Sequence, residues 1–530
     1  MSRISFFIVV FSLFSSVAMS QDEVNFNNID LQTYGFASFS EWDSVIHYGK
    51  LGLANNIDYF YLRLRMGEAY YYKQKYAPAI KQFEKALKSN SGDTTTQEFL
   101  YYSYLFSGRE SDARNLGYKM TDDIKKDVHL KKNISLKDVY FETGQATSNN
   151  ISQNGSINLA GSENLGGSAA LTNNISYTHI GMDINIGKWL SIYPGVSFVN
   201  DEDMQLFQTV NYAPGGRSSN VSDTVVVHPP RNGHPAFTSY DTVYNVQQLI
   251  KSSDTAMNFK YKLKQTELYL KCNIHVAKGL DIVPFFHLLS VKTINFKANN
   301  STVNVGLYDS ITRHTQVPKP PSSSKDTIVY HDTSYVTPIQ KYNYSQKDTS
   351  FYNYAFGLAI NKNWGRVTTS LFASYSNLNN YKQKEGGLTV TWYPEGNLNL
   401  YFSSTITAIQ EDTIKHIDFK HLPGIKNMVF NQVAGTKICK YIWLEGFVTL
   451  GTFSDFTESN GFVVDNNTDP VMFRCGIKPI LVFKRFDISL TYEFIQKQSS
   501  YITDMPQNTY ITNTTKYRNN FIIGGVKWKL

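Results

Sequence analysis

From Lys132 onward apolar residues alternate with polar or small ones, and that period of two restricts the chain to strands with two unlike faces. Ile180, Met182, Ile184 and Ile186 alternate with His179, Gly181, Asp183 and Asn185. After a tight turn at Gly187-Lys188-Trp189, Leu190, Ile192, Pro194, Val196 and Phe198 alternate with Ser191, Tyr193, Gly195 and Ser197. The unit recurs as Leu268–Val276 with Leu280–Phe296, Tyr354–Ile360 with Val367–Tyr375, and Leu388–Trp392 with Leu398–Ile409. Two more pairs are Met428–Lys437 with Tyr441–Thr452, and Val471–Phe483 with Phe486–Gln496. Ile134–Gly144 opens the series and Asn519–Leu530 closes it. The count is about fourteen strands, with twelve and sixteen as alternatives.

A greasy strand face needs either a second sheet or lipid. Connection length decides between them. Within each pair the turn is a few residues. Between pairs the links are mostly long, at 145–172, 200–257, 298–350, 376–386, 410–426, 453–470 and 497–516, and rich in Asn, Ser, Thr, Asp and Pro (Val317-Pro318-Lys319-Pro320-Pro321-Ser322). A soluble sandwich has no reason to sort loops by parity, whereas a transmembrane barrel has short turns on one side and long loops on the other. Composition agrees: 36 Tyr and 34 Phe suit aromatic girdles. A mean hydropathy of -0.32 suits strands whose two faces cancel. The net charge of +7, with Lys and Arg scattered, does not suggest a nucleic-acid binder.

Charge is costly on the lipid face, so Asp183, Glu267, Lys271, Asn273, His275, Arg474, Lys478, Asp487 and Glu493 are expected to face the lumen. Val526, Trp528 and Leu530 alternate to the last residue and resemble the terminal strand signal read by the barrel-assembly machinery. Arg3, the apolar stretch Ile4–Phe14 and Ala18-Met19-Ser20 read as an export leader, with the mature chain beginning at Gln21. Cys272, Cys439 and Cys475 are expected to be unpaired.

Between the leader and the strands the period is helical. Met66-Gly67-Glu68-Ala69-Tyr70, Tyr76, Ala79, Phe83 and Ala86 place small residues at close helix approaches and large ones in the holes between. Tyr104, Gly108 and Ala113 continue the pattern, Ala113 one 34-residue period after Ala79, and Trp42 stands one period before Tyr76. This segment resembles the tetratricopeptide repeat (TPR). The reading is therefore an α + β multidomain chain: leader 1–20, a short α-helical TPR solenoid over 21–130, and an antiparallel transmembrane β-barrel over 131–530.

Leader, short repeat array and barrel together resemble the YaiO-like outer-membrane barrel family and the TPR-barrel proteins of Bacteroidetes. They are more distantly similar to exporters of exopolysaccharide. The resemblance implies an outer-membrane barrel with its helical domain in the periplasm. It implies a porin-like pore or export channel for a polysaccharide or small solute, with the repeats docking a periplasmic protein partner. The alternative is a non-conducting barrel that anchors the repeats and displays its loops. No catalytic signature is present (no Walker loop, HExxH, GxSxG or CxxC), so no enzyme and no cofactor or metal is expected. An outer-membrane hydrolase, using His179 with Asp183 or His287 with Ser290, is the least favoured alternative. His228, His234, His314 and His331 are too dispersed to suggest a metal.

Overall fold

The computed structural model describes residues 24–130, 133–155, 159, 166–214, 222–230, 237–244, 249–316, 327–411, 425–505 and 509–530. The leader, its cleavage site, the Val317–Ser322 stretch and His234 lie outside these.

The helical region comprises α1 (Phe26–Ser38), α2 (Trp42–Ala54), α3 (Phe60–Tyr72), α4 (Tyr76–Ser89), α5 (Thr94–Phe106), α6 (Glu110–Gly117) and α7 (Asp122–Asp127). First helices start at Phe26, Phe60 and Thr94, and second helices at Trp42, Tyr76 and Glu110, each step 34 residues. The intervening turns share one backbone feature. Ser40, Gln74 and Gly108 all take a positive φ, of 60°, 57° and 76°. Only Gly108 does so without steric cost. Ala79, Phe83, Ala86 and Ala113 are fully buried and Tyr104 nearly so, while Tyr70 and Tyr76 pack partly buried around them. A side chain at Gly67 would collide with the Phe83 ring, so the glycine is what lets α3 and α4 touch. Arg63 is buried between them, with its charge met by Asp58 at 2.5 Å and Gln82 at 2.6 Å.

The strands are β1 (Ile134–Ser148), β2 (Gly166–Ile186), β3 (Leu190–Pro214), β4 (Ser222–His228), β5 (Phe237–Tyr244), β6 (Leu249–Ala277), β7 (Leu280–Gln316) and β8 (Thr327–Asn363). They continue as β9 (Val367–Ser376), β10 (Gln383–Trp392), β11 (Leu400–Glu411), β12 (Ile425–Cys439), β13 (Ile442–Glu458), β14 (Val463–Val482), β15 (Phe486–Met505) and β16 (Thr509–Lys529). Among the described residues fourteen of them form a closed antiparallel barrel, β1 pairing with β16 from Asp138↔Lys529 to Ser148↔Asn519. The β4–β5 hairpin stands outside that ring, attached to the far end of β7. A short helix, α8 (Asn150–Asn154), follows β1.

The tight turns, β2–β3, β6–β7, β8–β9, β10–β11, β12–β13 and β14–β15, all gather at one end of the barrel, with the chain's last residue beside them (Leu530 N to Lys137 O, 3.0 Å). The other end departs from expectation. Links 200–257, 298–350, 453–470 and 497–516 are largely strand: β7 and β8 stay in register from Leu280↔Lys362 to Thr315↔Thr327, and β15 and β16 to Met505↔Thr509. Past the apolar belt neither face meets lipid, so the greasy alternation that marks a membrane strand lapses while backbone pairing continues. The outward face of the belt is apolar, with Ile180, Leu268, Phe286, Leu388, Ile406 and Ile522 exposed. Trp189, Trp364, Trp392, Tyr441 and Trp528 ring it at the tight-turn end, as an interfacial girdle does.

Candidate functional site: an occluded lumen

Inward side chains of β6 measure depth in the lumen. Near the tight-turn end, Asn273 donates to Ser111 Oγ of α6 at 3.4 Å. Four residues further along, Tyr269 donates its hydroxyl to Asn460 O at 2.9 Å, in the β13–β14 turn. At about 3.3 Å per residue these two levels are about 13 Å apart. Each marks a segment from elsewhere in the chain that blocks the barrel.

The first block is the helical region acting as a lid. Its turns sit on the β10–β11 turn: Ala77 N donates to Gly396 O and Asn397 Nδ2 to Gln74 O (2.9 and 2.8 Å), and Gly108 faces the Leu398 side chain. The amino end of α6 enters the mouth. Asp112 accepts the Gly279 N–H at 2.9 Å, pairs with Arg109 at 2.7 Å and lies 3.7 Å from His275 Nε2. Glu110 meets Lys137 at 2.6 Å, and Arg114 donates to Asn185. Burial would raise the Glu110 carboxyl, but Lys137 outweighs it and leaves it below the ordinary glutamate range.

The second block is a plug. Between β13 and β14 the chain turns inward at Ser459-Asn460-Gly461-Phe462. The first three residues have φ of 52°, 58° and 75°, a left-handed run that folds the tip back on itself. Gly461 O accepts from His287 Nδ1 at 2.8 Å, and His287 Nε2 lies 3.2 Å from Glu267. Phe462 packs edge-on against His179 at 4.9 Å, and against Tyr269 and Tyr193 at 5.6 and 6.0 Å. Above the plug, Arg474 is buried among Glu458, Asp465 (3.5 Å) and Glu493 (3.4 Å).

Between lid and plug remains a cavity of ≈ 530 Å³. Its wall from β9 to β12 is almost all hydroxyl and amide, including Ser370, Thr389, Thr405, Thr407 and Asn431. Elsewhere in the lumen, outside the cavity's lining, charges pair with one another: Lys137 lies 3.6 Å from Asp183, and Lys527 lies 3.2 Å from Asp138.

Of the residues expected in the lumen, Glu267, Asn273, His275, Arg474 and Glu493 enter these contacts. Lys271 lies 5.4 Å over the Tyr193 ring and Asp487 pairs with Lys529 at 2.6 Å. Lys478 shares the inward parity of Arg474 and is half-buried. Val526, Trp528 and Leu530 are exposed, on the outward face. Neither hydrolase pair forms. His179 bonds Ser197 at 3.0 Å and Tyr193 at 2.9 Å while Asp183 faces Lys137, and Ser290 stands at the opposite parity to His287. The plug, Arg109, Asp112 and the hydroxyl wall were not singled out from sequence. Ser-Asn-Gly is a turn signal that says nothing of which way the turn folds.

No family model and no curated protein matches the sequence. Solved structures similar to this chain include the toluene transporter TodX of P. putida, 7% identical over 74% of this chain and 90% of that one, with a TM-score of 0.33. A FadL homologue of Pseudomonas aeruginosa is 7% identical over 81% and 94%, with a TM-score of 0.32. A bacterial polysaccharide outer membrane secretin is 7% identical over 74% and 98%, with a TM-score of 0.28. The barrel described here stands on its own strand pairing, closed by β1 against β16.

Proposed function

We propose that the protein is a gated outer-membrane pore held closed at two levels, by the helical lid and by the Ser459–Phe462 plug. The observation that carries this reading is the cavity left between the closures. A barrel serving only as an anchor gains nothing from an unfilled polar chamber, whereas a channel with two gates has one when both are shut. The lid is joined to the barrel by polar contacts rather than an apolar core, which suits a part that lifts. The helical region is read as three TPR-type hairpins on the periplasmic side. The 34-residue spacing of helix starts and the Gly67–Phe83 approach support this, as does its place at the tight-turn end. Its free face would dock a periplasmic protein that moves the lid. No catalytic role is proposed.

The test is planar-bilayer conductance of the full mature chain, and of a chain in which residues 459–462 are replaced by a two-residue Asn-Gly turn. The intact protein should be nearly silent, with rare openings, and the shortened one should conduct in frequent bursts, each lasting as long as the lid stays lifted. Silence from both, with the barrel folded, would leave the second reading: a non-conducting anchor, favoured by the buried Arg474 network.

A further inference from the structure

The chemistry of the cavity wall goes further than the presence of a pore, and the following rests on that pore reading. We infer that the chamber between lid and plug accepts a small neutral polyhydroxylated solute, of about disaccharide size, and discriminates against anions.

Every charged side chain on the cavity's surface is already matched within the protein. Arg109 and Asp112 pair with each other at 2.7 Å, Asp281 lies 2.8 Å from His275 Nδ1, and Glu458 is bound by Arg474. An ion entering the chamber would lose water and, among the described lining residues, find no uncommitted counter-charge. The wall from β9 to β12 instead offers hydroxyls in cross-strand rows. Thr389 and Thr405 share a hydrogen bond of 2.9 Å, as do Thr391 and Ser403 beside them. A hydroxyl both donates and accepts, so such a wall suits a ligand whose own groups do both. Asn431 and Asn273 also line the chamber, and an amide, like a hydroxyl, carries both donor and acceptor. Phe372 and Tyr393 supply aromatic surface for the C–H face of a sugar ring. The cavity's ≈ 530 Å³ falls within the roughly 300–1,000 Å³ of pockets that enclose one small ligand.

The experiment is calorimetric titration of the full-length protein in detergent with lactose, and with lactobionate, the open-chain acid of the same disaccharide. It is repeated on the chain with the shortened plug, so that access cannot hide binding. Lactose should bind saturably to one or both forms, and lactobionate at least tenfold more weakly. Thr405→Val with Asn431→Leu should weaken lactose about tenfold, the loss of one or two hydrogen bonds. Thr389→Val is the fallback if that pair impairs folding, judged by heat-modifiable migration. Equal binding of both sugars, or no lactose binding to either form, overturns the inference. So does lactose binding that both sets of substitutions leave intact. The pore reading is tested separately: if the shortened chain binds lactose but never conducts, the site stands and the pore falls. If it conducts without binding lactose, the reverse holds.

Discussion

Arg474 shows how much one side chain holds in place. Its guanidinium is buried against three carboxylates, Glu458, Asp465 and Glu493, and Glu458 is the residue from which the plug departs. Removing the cation leaves three mostly buried acids uncompensated, and breaking a buried ion pair typically costs about 3–5 kcal/mol. Arg474→Gln should therefore lower, by several degrees or more, the temperature at which the barrel loses its folded mobility on a denaturing gel. An unchanged transition would mean that water reaches these carboxylates freely. In the helical region the carboxylates act in the other direction of exposure. The Tyr59 hydroxyl and Arg65 hold Asp30 below its ordinary range, and Arg63 does the same for Asp58. A depressed folded pKa contributes stability that is full above the unfolded value, near 3.9, and fades as pH falls through the folded one. Protection of the helical region from an acid-active protease should thus be flat from neutral pH to about 5 and decline below about 4. Asp30→Asn should lessen that decline. A decline beginning near pH 6 would point to histidine instead. Residue identity told sequence reasoning which positions were small, large or charged. It did not tell that Arg63, where a repeat of this kind carries an apolar residue, is buried and satisfied by Asp58 and Gln82, because the partners come from across a turn and a helix.

At the scale of elements, legibility followed the solvent. Where strands cross the apolar belt, lipid on one side and lumen on the other impose a period of two, and β2, β3, β14 and β15 could be read from Ile180–Ile186, Leu190–Phe198, Ile477 and Ile488–Phe494. Where β7 and β8 rise past it, nothing in the side chains separates paired strand from loop, and the described residues of the expected loop at 298–350 form a long two-stranded extension. The plug was hidden for another reason: its turn residues are ordinary, and only contacts distant in sequence make it fold inward, such as Tyr269 with Asn460 and His287 with Gly461, 191 and 174 residues apart. Phe462 is the apolar anchor of that element, wedged among His179, Tyr193 and Tyr269. Its truncation removes the packing and leaves the backbone bonds. Phe462→Ala should therefore loosen the plug without unfolding the barrel. Single-channel records should show openings at least tenfold more frequent than in the parent, since about 1.4 kcal/mol of lost packing suffices for that factor. Records as quiet as the parent's would place the gate elsewhere.

For the whole molecule, the proposed pore has its two closures in series, so current flows only while both are displaced. The lid reaches the barrel through polar contacts spread over several parts of the chain, among them Ala77 with Gly396, Ser111 with Asn273, and Glu110 with Lys137. None is buried in apolar surroundings, and each is of the kind that contributes about 0.5–1.5 kcal/mol net. On the proposed reading, a lid held by separate polar contacts can be lifted by a protein partner pulling on the helical hairpins. Ser111 and Asn273 side chains are 3.4 Å apart across the mouth, which makes them the place to fix it. In a chain whose three native cysteines, Cys272, Cys439 and Cys475, are changed to serine or alanine and whose plug is shortened, Ser111→Cys with Asn273→Cys should be bridged by oxidation or by a short bis-maleimide. Bridged, the channel should fall silent although the plug is gone. For the oxidised form, reductant should restore the current within the same recording. If current persists with the bridge fully formed, the helical region does not seal the barrel and the plug alone is the gate. The series arrangement makes this outcome decisive, because with one closure removed the other must carry the whole resistance of the path.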